Sequence, residues 1–381
     1  MKKIFGFLKK ELMLTAALLA AAASLFITPF QLSRLADIDW HTLATLFMML
    51  CVLEGFKKEN VFRPLIRLSA RLGRMPALSL FLVFGVFFTS MFVTNDVSLI
   101  VFVPLTILLF REGGKERDIL PVISMENIAA VRGSLLTPFG SPQNLFLFGK
   151  AGVSAGHFML HMLPLCAMSA VLLVCFVLFL YRKDPRETIE INADAAAGRW
   201  TKEGRVRRIG YLALFALILI TIVSRTALWP FVCAAVVIGI ALLDAGLFRR
   251  VDYVLLVTFF CFFLFSSSVA ANENIAGLLR RAVAGREYWW AIGLSQIISN
   301  VPASIVLYPF SQNFAGLIYG ADTAGLCSLI GSLASVINYR IYVREYPGQG
   351  GRFIKVFTLV SWAFFLLVVI PGYLLSRWRF F

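Results

Sequence analysis

Charge is scarce in this sequence: 15% of its 381 residues are Asp, Glu, Lys or Arg, against 59% that are hydrophobic. An ordinary soluble domain carries roughly a quarter charged residues, so a water-soluble globule is excluded. The residues of catalytic and metal chemistry are scarce too. His157 and His161, two of only three histidines, sit one turn apart but have no third ligand nearby in sequence, which favours a structural or interfacial role over a metal site. The six cysteines, Cys51, Cys166, Cys175, Cys233, Cys261 and Cys327, lie in apolar runs without CxxC spacing. That excludes a thiolate metal site or a disulfide framework and leaves them as small packing residues. GxSxG, HExxH, Walker A and a strand-to-helix GxGxxG are all missing, so no enzyme, no cofactor and no ATP-driven pump is expected.

What fills the chain instead is a series of apolar runs, with a mean hydropathy of +0.82. Stretches long enough to span a bilayer run from Leu12 to Phe30, Trp40 to Phe56, Ile119 to Phe148, Phe158 to Tyr181 and Tyr211 to Ser224. Others run from Trp229 to Leu247, Tyr253 to Ala270, Thr323 to Tyr342 and Phe353 to Leu375. The chain reads as an all-α polytopic membrane protein. Its net charge of +15 follows membrane topology and does not call for a nucleic-acid partner. With the N-terminus in the cytoplasm, most Lys and Arg fall on cytoplasmic segments, as the positive-inside rule requires; Arg280, Arg281 and Arg286 are the exceptions. The basic opening MKKIFGFLKK and the following "AAAAS" resemble a signal peptide, but the many later spans favour an uncleaved first helix. Arg63, Arg67, Arg71 and Arg74 recur at helical spacing, as in an amphipathic helix lying on anionic lipid.

Two apolar blocks, Met75 to Phe110 and Tyr288 to Phe314, do not fit the simple pattern. The first would be about 54 Å long as one helix, well beyond a roughly 30 Å hydrocarbon core, so it must bend. The polar Thr94-Asn95-Asp96 lies near its middle, and Ser299-Asn300-Val301-Pro302 holds the same place in the second. Set together, "TNDVSLIVFVPL" from Thr94 and "SNVPASIVLYPF" from Ser299 align Asn95 with Asn300 and Pro104 with Pro309 at one offset. Upstream, "DWHTLATLFMML" from Asp39 parallels "DYVLLVTFFCFF" from Asp252. A duplicated unit is expected, divided by the long polar linker. The first half covers 1–181, with hairpin 75–110 and broken helix 119–148. A charged cytoplasmic linker covers 182–208. The second half covers 209–381, with hairpin 288–314 and broken helix 323–342. Counting spans places the two halves in opposite orientations, an inverted-topology repeat as in many secondary transporters. Each block is either a re-entrant hairpin or a pair of short spans.

A second interruption follows each block. "GSLLTPFGSPQNLFLF", Gly133 to Phe148, crowds Thr137, Gly140, Ser141, Pro142, Gln143 and Asn144 into a membrane segment, which predicts an unwound stretch. "LIGSLASVINYR", Leu329 to Arg340, is milder, with Gly331, Ser332, Ser335 and Asn338. Irregular backbone at membrane depth persists only where protein buries it or a wet cavity receives it. Helix N-termini there suit an anion, and carbonyl, hydroxyl and amide oxygens suit a small cation. Asn95 and Asn300 either cap or ligate. Asp96, whose counterpart is Val301, either takes a proton or cation or caps the helix that follows. Arg132, basic and within a span, is expected to pair with Asp96 or Glu126 or to meet an anionic substrate. Glu126 and Glu54 read as interfacial.

"TNDVSLIVFVPLTI", "GSLLTPFGSPQNL", "AIGLSQIISNVPASIVL" and "GSLAS" resemble, over nearly the whole chain, the citrate-transporter-like branch of the ion transporter superfamily. That superfamily includes divalent anion/sodium symporters, arsenite permeases and a sodium/proton antiporter family; short bacterial inner-membrane members are most similar. The resemblance implies that Thr94-Asn95 and Ser299-Asn300 are hairpin tips holding sodium and substrate, with sodium at Asn95, Asn144 and Asn300. It places Thr137 to Asn144 and Gly331 to Ser335 on the broken helices, and implies a homodimer in which a transport domain moves against a scaffold like an elevator. Three departures matter. Thr-Asn-Asp and Ser-Asn-Val replace paired Ser-Asn-Thr, with Asp96 similar to the arsenite-permease branch. Arg132 replaces a neutral residue. Ser335 stands where Asn is frequent, with Asn338 nearby. The expected activity is sodium- or proton-coupled symport of a small anion such as a di- or tricarboxylate; the alternative is arsenite/antimonite efflux or sodium/proton antiport.

Overall fold

The computed structural model describes residues 12–27, 35, 38–61, 68, 72–190, 202–224 and 226–378. The MKKIFGFLKK opening, Arg63, Arg67, Arg71 and the middle of the linker, on which several expectations above rest, lie outside them. Every named element among the described residues is helical. Six helices, Met75–Val93, Ala155–Leu180, Gly204–Ser224, Trp229–Arg249, Tyr253–Ala270 and Gly350–Ser376, are long and apolar enough to cross a membrane.

The first half opens with α1 (Leu12–Ile27) and α2 (Trp40–Lys58). Its bent block is α3 (Met75–Val93) and α4 (Asn95–Glu112), parted by Thr94 alone. The interrupted helix is α5 (Ile119–Ser134) and α6 (Pro142–Ala151), and α7 (Ala155–Leu180) closes the half. After the linker come α8 (Lys202–Ser224) and α9 (Trp229–Asp244), then a second series in the same order. It comprises α10 (Tyr253–Ala270), α11 (Glu273–Val283), the block α12 (Glu287–Ile298) and α13 (Asn300–Leu307), the interrupted pair α14 (Phe314–Ala324) and α15 (Leu333–Glu345), and α16 (Gly350–Ser376).

The likeness extends to local geometry. Asp39 caps α2 at φ −78°, ψ 78° and accepts from the Thr42 N–H; Asp252 caps α10 at φ −76°, ψ 82° and accepts from the Leu255 N–H. Such caps satisfy backbone donors that an α-helix leaves free at its start. The bent blocks differ in length: at roughly 1.5 Å per residue, α3 and α4 are each about 28 Å long, while α12 and α13 are about 18 and 12 Å.

One boundary departs from expectation. The second interrupted helix begins at Phe314, ahead of Thr323, and its first limb, FAGLIYGADTA, is the segment that the hydropathy pattern passed over. Gly316, Gly320, Asp322 and Thr323 dilute its apolar character, yet all of its residues after Phe314 are buried. Gly320 lets α14 lie against α12, since a Cβ there would come within 2.5 Å of the Tyr288 carbonyl oxygen.

Packing crosses between the halves. α4 lies against α15, and α13 lies against α6, so the second arm of each block meets the restarted helix of the other half. A second group, in which α2 packs on α8, α9 and α10, and α1 packs on α10, stands beside this core.

Candidate functional site

Three non-glycine residues among those described have positive φ: Asn60, Thr94 and Ser299. Thr94, at φ 75° and ψ 153°, and Ser299, at φ 68° and ψ 160°, share a region that is essentially glycine's own and costs other residues about 1–3 kcal/mol. Each is at once the C-cap of one helix and the N-cap of the next, so α4 starts on Asn95 and α13 on Asn300. The same strained turn at both aligned positions marks the two tips as one device used twice.

The breaks match as well. Ser141 precedes α6 at φ −148°, ψ 153°, and Ser332 precedes α15 at φ −148°, ψ 140°. Immediately before them stand Gly140 and Gly331, where a Cβ would meet the Ser134 oxygen at 2.4 Å and the Ala324 oxygen at 2.2 Å. Only glycine lets the chain fold back so closely onto the helix that has just ended.

Each tip is tied to the break of its own half. The Thr137 hydroxyl donates to the Met91 carbonyl below the first tip, and the Asn300 N–H donates to the Gly331 carbonyl at 3.2 Å. Asn144 Nδ2 donates to the carbonyls of Ser134, Leu135 and Thr137 at 3.0, 3.3 and 3.3 Å, and the Ser141 hydroxyl accepts from the Asn144 N–H. Gln143 Oε1, Asn144 Oδ1, Asn300 Nδ2 and Asp96 Oδ1 are buried atoms without a hydrogen-bond partner. Buried polar atoms are normally satisfied, so these are groups available to a ligand.

Most of the expected site residues are buried: Asn95, Thr137, Ser141 to Asn144, Ser299 to Pro302, Gly331, Ser332, Ser335 and Asn338, while Thr94 and Asp96 are half-buried. Asn95 Oδ1 accepts from the Asp96 N–H at 3.0 Å. Asp96 lies in the first turn of α4, where a negative charge is favoured. Asn338 stands apart from the break and donates to the Ile123 carbonyl of α5 at 2.7 Å.

Arg132 has a partner other than those expected. Fully buried, it ion-pairs with Asp322 and donates to the Thr323 hydroxyl at 3.3 Å. The pair joins the last turn of α5 to the last turn of α14, so it ties the two interrupted helices together just before both breaks. Glu126 is not interfacial: it is fully buried and accepts a hydrogen bond from Thr106. Glu54 is half-buried and pairs with Lys57 at 2.5 Å near the end of α2.

Three contributors went unread in the sequence. Asp322 lies in the passed-over limb. Gln296 of α12 donates to the Ala324 carbonyl at 3.2 Å and accepts from Ser328 at 2.7 Å, giving the second break the amide that Asn144 gives the first. Asn127 donates to Ser335 at 3.1 Å, and Ser335 in turn reaches the Gly325 carbonyl at 3.4 Å. His161 bonds the Trp378 carbonyl and Tyr319. Among the described residues no group of three or more His, Cys, Asp or Glu is placed to hold a metal ion.

A family model described as "Citrate transporter" matches residues 5–331. The chain is 33% identical over 324 residues to "Inner membrane protein YbiR" of Escherichia coli, covering 83% of this chain and 84% of that one. It is 28% identical over 330 residues to "Uncharacterized transporter MJ0456" of Methanocaldococcus jannaschii, covering 83% and 84%. The crystal structure of the Alcanivorax borkumensis YdaH transporter superposes with a TM-score of 0.53 at 16% identity, covering 90% of this chain and 85% of that one, which is a likeness of fold. With its interrupted helices and apolar spans, the chain is a multi-pass membrane transport protein, not an enzyme, and it belongs to the citrate transporter family.

Proposed function

We propose that the protein is a secondary active transporter that carries a small anion, of the di- or tricarboxylate class, in symport with sodium or protons. The observation that carries this reading is the duplicated constellation of a strained Thr94 or Ser299 tip beside a glycine–serine restart at Gly140-Ser141 or Gly331-Ser332. Such an arrangement presents helix N-termini to an anion and leaves carbonyl and amide oxygens for a cation.

Arg132 is neutralised by Asp322, so the substrate carboxylates are received by the helix starts at Asn95, Pro142, Asn300 and Leu333 and by the amides of Gln143 and Asn300. Sodium, as co-substrate, would draw on the oxygens of Asn95, Asn144 and Asn300. Export of arsenite or antimonite, or sodium/proton antiport, is the second reading, favoured by the unpartnered Asp96 oxygen.

The blocks act as re-entrant hairpins of an inverted repeat in a homodimeric inner-membrane protein with a cytoplasmic N-terminus. The core of α3–α6 and α12–α15 moves against the group around α2 and α8–α10. Between them lies a cavity of about 290 Å³, lined among others by Asp39, Phe146, Lys150, Phe263, Ser266 and Tyr308. Lys150 of α6 pairs across it with Asp39 at 3.0 Å, a contact that such a movement must break.

Uptake of radiolabelled citrate into proteoliposomes under imposed sodium or pH gradients tests the proposal. Accumulation driven by either gradient is expected. A panel of carboxylates taken up indifferently to both gradients would refute cation-coupled symport.

A further inference from the structure

The packing of α4, α5 and α15 contains a polar seam that the proposed substrate site does not use. At its surface end, Arg111 of α4 pairs with Glu345 of α15 at 3.2 Å and approaches the Tyr346 hydroxyl at 3.4 Å; that hydroxyl donates to Glu116, just before α5, also at 3.4 Å. Deeper in, Asn338 of α15 donates to the Ile123 carbonyl of α5. One turn further, Thr106 of α4 donates to Glu126 of α5, and Asn127 donates to Ser335. Ser335 then reaches the Gly325 carbonyl at the second break. The seam therefore runs from a charged, exposed cluster to the edge of the proposed transport site.

Its centre is under-satisfied. Glu126 Oε2, Asn127 Oδ1 and Asn338 Oδ1 are buried and have no hydrogen-bond partner. Each Asn amide nitrogen makes one hydrogen bond, Asn127 to Ser335 and Asn338 to the Ile123 carbonyl, and each side-chain oxygen is left without a donor. Nor does a cation reach Glu126. Its helix-mate Arg132 is committed to Asp322. On α4, Arg111 is committed to Glu345, and Asp96 and Glu112 are acidic. None of Arg340, Arg344 and Glu345 on α15 or Arg352 and Lys355 on α16 pairs with Glu126, whose one side-chain hydrogen bond comes from Thr106; α3 carries no charged residue, and α7 carries only His157 and His161. A lone carboxylate in such surroundings is costly, whereas a protonated carboxyl removes the charge and adds a donor among three unpartnered oxygens.

We propose that Glu126 is a proton-carrying acid and that the α4–α5–α15 seam passes protons between the Arg111–Glu345 surface and the second break. Hydronium gives a proton to Glu126 Oε2, one of its O–H bonds breaking as the carboxyl O–H bond forms, and the carboxyl later returns that proton to water, so the carboxylate is restored each cycle. Intramembrane acids commonly serve this end. The inference deepens the transport reading by naming the group that couples it to protons, yet it makes a claim about Glu126 that is testable without any substrate.

Infrared difference spectra of the purified full-length protein across a pH titration test that claim. A carboxylic C=O band that titrates, is absent from Glu126→Gln and is displaced in Thr106→Val is expected. A titration that leaves the same bands in Glu126→Gln as in the unaltered chain overturns the proposal. Glu126→Gln keeps the shape and the acceptor for Thr106, and the titration of the unaltered protein needs no variant to fold. In proteoliposomes with citrate as probe, Glu126→Gln is expected to lose accumulation driven by a pH gradient while keeping the thermal shift that citrate produces. Unchanged pH-driven accumulation also overturns it. If citrate neither shifts nor enters with the unaltered protein, the carboxylate reading fails, and the infrared titration alone decides for or against Glu126.

Discussion

In the first half, one side chain gathers the carbonyls freed at the break: Asn144 donates to Ser134, Leu135 and Thr137, all from its own interrupted helix. In the second half the corresponding position is Ser335, which reaches only Gly325, while Gln296 of α12 takes the Ala324 carbonyl and Asn127 of the first half holds Ser335 in place. The backbone at the two breaks is nearly the same, as the cap angles of Ser141 and Ser332 show. One break thus carries its own fastening, and the other is fastened by neighbours. Anything that shifts α5 or α12 reaches the second break directly, so it is the better placed to respond to events elsewhere in the molecule.

The largest effect is expected where the halves are joined. Arg132→Met or Asp322→Leu alone leaves a buried charge without its partner, which typically costs about 3–5 kcal/mol. The double substitution removes both charges and is expected to recover most of that loss. Thermal melts of the four proteins, treated as a double-mutant cycle, measure the coupling; additive losses would mean that the pair does not fasten the two helices together.

Next come the glycines. Gly140→Ala and Gly331→Ala each drive a methyl group into a backbone carbonyl, and overpacking of this kind costs about 1–3 kcal/mol. Because the close approach is the same on both sides, equal losses of melting temperature are expected. Tolerance at one position alone would show that the likeness of the breaks does not extend to their packing.

Smaller effects separate the two fastenings. Asn144→Ala strips a donor from three carbonyls and is expected to cost about 1–3 kcal/mol, while Ser335→Ala, which loses the long bond to the Gly325 carbonyl and the one accepted from Asn127, is expected to cost about 0.5–1.5 kcal/mol. Gln296→Ala is expected to fall between them. If Ser335→Ala proves as damaging as Asn144→Ala in a thermal melt, the second break is not held chiefly by its neighbours.

What could be read in the sequence follows from this division. Asn95 and Asn300 announce themselves because polar residues at the centre of an apolar block stand out, and Gly140 to Asn144 because helix breakers are dense there. Asp322 did not, since its limb is short, rich in small residues and too weakly apolar to register as a span. Gln296 is a single amide on an apolar helix, and Asn127 sits beside a carboxylate that drew attention first; their value lies in which carbonyl or hydroxyl they meet, which only tertiary packing decides. Arg132 was recognisable as out of place, but its partner lies on an interrupted helix of the other half, and nothing in the local pattern points there.

The tips offer the finest comparison, because they share a strained backbone and differ in what surrounds it. Glycine at Thr94 or Ser299 removes a conformational cost of about 1–3 kcal/mol while making the unfolded chain more flexible, a loss of roughly 0.5–1 kcal/mol. Each substitution should therefore leave the melting temperature unchanged or raise it slightly. Ser299→Gly should gain less, since it forfeits a hydroxyl that donates to Asn300 Oδ1 at 3.4 Å. Transport should fall in both, because the strain fixes where Asn95 and Asn300 begin their helices and a relaxed tip lets those starts wander. A lower melting temperature for Thr94→Gly than for Ser299→Gly would mean that the shared backbone geometry is held by side-chain contacts specific to the first tip, and that the two tips are alike in shape without being alike in cause.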